Sequence, residues 1–107
     1  MLTNSEVTLF RYSEETDEYE NIGTFRAWVH RKDRLHRNSA GEVRRDSFAV
    51  RVSARQLAEV RVGDRLCFGR VSGGCAGVEY DTVSRVRDNR FGMEPHWLME
   101  TDYIAAK

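Results

Sequence analysis

The chain has 107 residues, 40% hydrophobic and 32% charged, with seventeen basic against seventeen acidic side chains. That size supports one domain around one compact core, and no apolar run approaches the length of a membrane-spanning helix. Zero net charge argues against a protein that coats nucleic acid, which would carry a strong basic excess.

Met1–Glu6 has neither a basic n-region nor an apolar h-region, so no signal peptide is expected. Glu6–Tyr12 (EVTLFRY) reads as a first strand, with Val7 and Leu9 on one face and Thr8, Phe10 and Tyr12 on the other. Both faces carry apolar groups. The strand is therefore either covered on both sides or laid against a neighbouring subunit. Ser13–Asn21 holds Glu14, Glu15, Asp17, Glu18 and Glu20, and no apolar stripe at helical spacing follows, so it reads as a turn or loop.

Gly23–His30 reads as a second strand, Phe25, Ala27 and Val29 facing opposite to Arg26, Trp28 and His30. Trp28 has two readings, a core residue or an aromatic at a subunit interface. A long basic loop follows over about residues 31–45, carrying Arg31, Lys32, Arg34, Arg37, Arg44 and Arg45, with Asn38–Gly41 at its tip. Loops of this length in compact domains are usually functional or disordered. Removing Lys32–Ala40 is expected to leave the fold intact and to impair assembly.

Val43–Ser53 alternates most cleanly, directing Phe48, Val50 and Val52 to the core and Arg45, Ser47, Arg51 and Ser53 outward. Ala54–Val60 supports one short helical turn at most.

The stretch Val60–Trp97 reads as the hairpin around which the rest is added. A turn at Gly63–Asp64 leads into a strand carrying Leu66 and Phe68. The glycine-rich Ser72–Gly77 follows as a flexible loop, and a partner strand ends in a turn at Asp88–Asn89. Val83 and Val86 are three apart and cannot share a face of a regular strand, which implies a bulge near Ser84 or burial on both faces. His96–Ile104 is the last strand, with Trp97, Met99 and Tyr103 opposite Leu98 and Ile104. The expected architecture is all-β, a single domain over residues 1–107. About six strands form a small, closed or partly open antiparallel β-barrel, with one short helical turn and the long basic loop.

The sequence motivates no enzyme and no cofactor. His30, His36 and His96 are scattered, and the C-x7-C spacing of Cys67 and Cys75 suits neither zinc nor a redox pair, so both read as reduced thiols. Ser72–Gly77 lacks the G-K-[ST] ending and following helix of a phosphate cradle. No serine has the sequence context of a catalytic triad. The charges are nevertheless segregated, acids over Glu14–Glu20 and bases over Arg26–Arg45. Such segregation suits pairing with copies of the chain or with a neighbour, and two solvated loops are the plain alternative. The basic stretch also suits salt-sensitive contact with phosphates.

EVTLFRY, the acidic insert with Tyr19, and GTFRAWVH together resemble the opening of small proteins encoded among phage and prophage head and tail genes. VGDRLCFG followed by YDTVSRVRDNRFGMEPHW resembles their C-terminal half, in which a Gly-Asp turn, a V-x-x-V-x-D-N strand and a terminal His-Trp strand recur. The chain is similar to head-tail connector proteins of long-tailed phages, of the head-closure or stopper type. Arg31–Arg45 is the part least covered. The resemblance implies a β-barrel subunit, made in the host cytoplasm, whose copies form a ring in the virion neck between portal or adaptor and tail proteins, around a channel that passes DNA. It brings no catalytic residues.

Candidates for the subunit interface or the DNA channel are then Arg31, Lys32, Arg34, Arg37, Arg44 and Arg45, with Glu14, Glu15, Asp17, Glu18 and Trp28. A tail terminator or tail-completion protein is the alternative within that class. A small β-barrel nucleic-acid-binding module is the alternative from another class.

Overall fold

The computed structural model describes residues 3–32, 47–74, 77–90 and 94–102. Six strands form: β1 (Ser5–Ser13), β2 (Glu18–Lys32), β3 (Ser47–Ser53), β4 (Arg65–Phe68), β5 (Asp81–Asn89) and β6 (His96–Asp102). They pair antiparallel in the order β1-β2-β3-β6-β5-β4, and β4 returns to β1 to close a barrel. The expected helical turn is a single hydrogen-bonded turn, in which Ser53 O accepts from Gln56 N and Leu57 N. With no further turn to propagate it, no helix forms.

Alternation along each strand supplies the interior. Val7 and Leu9 of β1, Ala27 of β2, Val50 and Val52 of β3, Leu66 of β4, Val83 of β5 and Met99 of β6 are all fully buried in one cluster. Leu57 and Val60 join this cluster from the β3–β4 connection, and the Trp97 indole N–H donates to Leu57 O at 2.9 Å. Trp97, Met99 and the fully buried Thr101 alternate along the inner face of β6, with the Thr101 hydroxyl on the buried Asp81 carboxylate at 3.2 Å.

Two bulges set the register. On β2, Leu9 faces Gly23 while Phe10 faces Asn21, which leaves Ile22 as the extra residue, packed against the core. Gly23 has φ +134, and an added Cβ would sit 3.0 Å from the Phe25 ring. On β5, Val83 pairs with Thr101 and Arg85 with Glu100, so Ser84 is the extra residue. That bulge puts both Val83 and Val86 on the core side, as their spacing requires.

The two-faced burial of β1 is met within the chain. Thr8 and Phe10 are fully buried on the face opposite Val7 and Leu9, and the segment after β4 lies across that face at Thr8. The Thr8 hydroxyl donates to Gly69 O at 2.7 Å and accepts from Val71 N at 3.0 Å, so the Thr24 hydroxyl at 2.9 Å donates to it. The Asn21 amide adds donations to Val71 O at 2.8 Å and Gly73 O at 3.2 Å. The glycine-rich loop is thus strapped down at its beginning. Cys67 on β4 is buried, and Cys75 lies outside the described residues.

Three expectations are corrected. Ser13–Asn21 is not all loop: only residues 14–17 turn, and Glu18–Asn21 belong to β2, because Arg11 and Tyr12 find cross-strand partners in Glu20 and Tyr19. Asp88–Asn89 is not a turn but the end of β5, paired with Trp97 and His96; Asp88 Oδ1 accepts from Arg90 N at 3.1 Å, which starts the bend one residue later. Trp28 is not in the core, since β2 alternation places it on the outer face. Residues 43–46 of the alternation read from Val43, and Tyr103 and Ile104, expected in the last strand, lie outside the described residues.

Candidate functional site

β2 places the two charge blocks at opposite ends of one rigid element. Its 15 residues run from Glu18 beside the acidic turn to Lys32 at the start of the basic stretch, in a molecule whose longest extent is 43 Å. β1 is flanked by β4 only over Val7–Phe10, and β2 by β3 only from Ala27 onward. The intervening segment, Arg11–Glu20 with its turn, is a two-stranded ribbon paired to itself beyond the barrel wall.

At the tip of the ribbon Asp17 takes a left-handed conformation, φ 55, which an aspartate tolerates. The Tyr12 hydroxyl donates to Asp17 Oδ1. That bond to Asp17, aided by burial and the nearby Tyr19, holds the Tyr12 phenol above its usual titration range. Glu14, Glu15, Asp17, Glu18 and Glu20 are all exposed, and Glu14, Glu15 and Glu18 make no ion pair among the described residues. At the ribbon's root, Tyr12 and Tyr19 meet edge-on at 5.6 Å, and the Arg65 guanidinium lies 3.7 Å from the Tyr19 centroid and 4.2 Å from that of Tyr80.

The opposite sign is displayed on the outer face of β2-β3-β6-β5. Register sets Trp28 against Arg51, Arg51 against Leu98, and Leu98 against Arg87. One step along, His30, Ala49, Glu100 and Arg85 form a parallel row. The rings of Trp28 and His30 stack at 5.4 Å with 6° between planes, and the Arg51 guanidinium sits 4.9 Å from the Trp28 centroid. Arg26, Arg51, Arg85 and Arg87 are exposed on this face, and Glu100 lies 3.8 Å from Arg85. The face therefore presents guanidinium groups around a half-buried apolar strip of Trp28 and Leu98.

Of the sequence candidates, Glu14, Glu15, Asp17 and Glu18 are brought together at the ribbon, and Trp28 and Arg31 lie further along β2, with Arg31 exposed. Lys32 ends that strand, while Arg34, Arg37, Arg44 and Arg45 lie outside the described residues. Arg51, Arg85 and Arg87 were not among the candidates. Each sits at an outward position of a strand, but only the cross-strand register, invisible in the sequence, sets Arg51 beside Trp28 and brings Arg85 and Arg87 onto the same face beyond Glu100 and Leu98.

Comparison with family models, with curated proteins and with solved structures found no match to this chain.

Proposed function

We propose that the protein is a virion structural subunit of the head-tail connector type, many copies of which form a ring that closes the head at the junction of portal and tail. The observation that supports this reading most is the separation of charge on a closed barrel, with an acidic ribbon at one end of β2 and an arginine-rich face toward the other. A ring is built from heterologous contacts, in which two different patches of neighbouring copies meet, and opposite signs on those patches supply register and encounter. The resemblance of the β1–β2 and β4–β6 sequences to connector proteins points the same way.

The test is to mix purified protein with isolated portal rings and, separately, with tails, and to measure the masses of the products. Addition of a ring of copies to the portal supports head closure. Binding only to the tail end moves the protein to a tail terminator, and binding to neither removes the connector reading.

The arginine-rich face favours a second reading, a nucleic-acid-binding module. It requires affinity for duplex or single-stranded DNA that falls steeply with salt, and no binding at low salt removes it.

A further inference from the structure

We infer that the acidic ribbon of one copy docks on the outer β2-β3-β6-β5 face of another, with Glu14, Glu15 and Glu18 set against Arg51, beside Trp28, and Arg87, across Leu98 from it. The inference deepens the ring reading above by naming the two surfaces that meet.

Three observations lead to it. First, the contact cannot form within one chain. Glu18 and Trp28 lie ten residues apart on the same bulged strand, at most about 33 Å at roughly 3.3 Å per residue. The ribbon and the face are held apart by the strand that carries both. Second, the ribbon cannot pair with its own kind. Its backbone edges are unflanked by other strands, a geometry that invites edge pairing, but five like charges line it and repel a second ribbon. The contact is therefore ribbon to face, repeated from copy to copy.

Third, the face suits carboxylates better than bases. The Trp28 ring is already engaged by His30 and Arg51, so no free stacking platform is offered, while guanidinium groups stand ready for carboxylate oxygens. Glu14, Glu15, Glu18 and Arg87 make no ion pair among the described residues.

The experiment is a dilution series of the isotope-labelled protein at low salt, followed by backbone amide shifts. Concentration-dependent shifts confined to the amides of residues 14–20 and of Trp28, Arg51 and Arg87 are expected, disappearing at high salt. Two variants carry the test further: one with Glu14→Lys, Glu15→Lys and Glu18→Lys, the other with Arg51→Glu and Arg87→Glu. Each alone should self-associate about tenfold or more weakly, and the two mixed should associate with each other, because the reversed charges again meet opposite signs.

All altered side chains are exposed, and unchanged thermal melts exclude misfolding as the cause. No concentration dependence, shifts elsewhere on the barrel, or failure of the mixed pair to recover would overturn the inference. So would shifts at the face that appear only on adding an oligonucleotide. Recovery of the pair together with no binding to portals or tails would leave this contact standing and remove the connector reading.

Discussion

The Arg11 guanidinium meets the Asp64 carboxylate through two hydrogen bonds, Nε to Oδ1 at 3.2 Å and Nη2 to Oδ2 at 2.9 Å, although Asp64 is only 3% exposed. Asp64 also accepts from Arg61 N at 3.0 Å, its own carbonyl accepts from Val83 N at 2.8 Å, and Arg11 reaches Glu59 O at 2.9 Å. One turn residue thus ties the β3–β4 connection to β1 and β5. Asp64→Ala should destabilise the protein by about 2–3 kcal/mol, below the full cost of breaking a buried pair because Arg11 retains some contact with water. A denaturant titration with an unchanged slope and a lower midpoint checks this.

Thr8→Val keeps the shape of the side chain but deprives Gly69 O and Val71 N of their partner. The expected loss is about 1–3 kcal/mol. It should be local in part: amide exchange at Val71 should quicken more than at Val50 or Met99 in the core. Uniform acceleration would show that the strap has no stability of its own.

The two tryptophans should behave as opposites. Trp97→Ala should cost about 3–5 kcal/mol, since it empties the core and leaves Leu57 O without its donor. Trp28→Ala should cost about 1 kcal/mol, the scale of its cation–π contact with Arg51. Iodide should quench the fluorescence of the Trp97→Phe variant, which retains Trp28, and spare that of the Trp28→Phe variant. Protection of the Trp97→Phe variant as well would return Trp28 to the interior.

Tyr12 should titrate above the usual phenol value of about 10. Because its folded pKa is raised, the associated stability is fully present below the unfolded value and is lost as pH rises through the folded one. Asp17→Asn removes the charged acceptor and should lower the Tyr12 transition, read by phenolate absorbance difference against a Tyr12→Phe variant.

Much of the fold was legible because alternation reports faces directly. Phe48, Val50 and Val52 were assigned inward from period alone, and the Val83/Val86 mismatch located the Ser84 bulge. The Ile22 bulge was not foreseen, since nothing in EYENIGTF breaks the pattern until Asn21 is seen opposite Phe10. The acidic residues were legible as a cluster but not as a ribbon, because the pairing of Tyr12 with Tyr19 is a cross-strand contact between polar-flanked residues. The arginine-rich face was legible only one strand at a time.

Side chains also extend the backbone ladder where strands run out. The Asn4 amide donates to Val29 O at 3.0 Å and accepts from Val29 N at 2.8 Å, and Gln56 does the same for Arg26 at 3.2 and 3.1 Å. Each serves as one rung where β2 passes from β1 to β3. The sequence offers no sign of this, since both residues look like ordinary polar positions.

Closure of the barrel by β4 against β1 also orders events in time. Tyr12 and Asp17 are five residues apart, and the ribbon they staple belongs to the class of hairpins that form in microseconds. Thr8 and Gly69, which fasten the closing strand, are 61 residues apart, so that loop must be gathered against its entropy before the contact returns anything. By sequence separation this seam is the costly one to close. Until it closes, β1 and β4 each keep an unpaired edge of the kind that invites association with another chain.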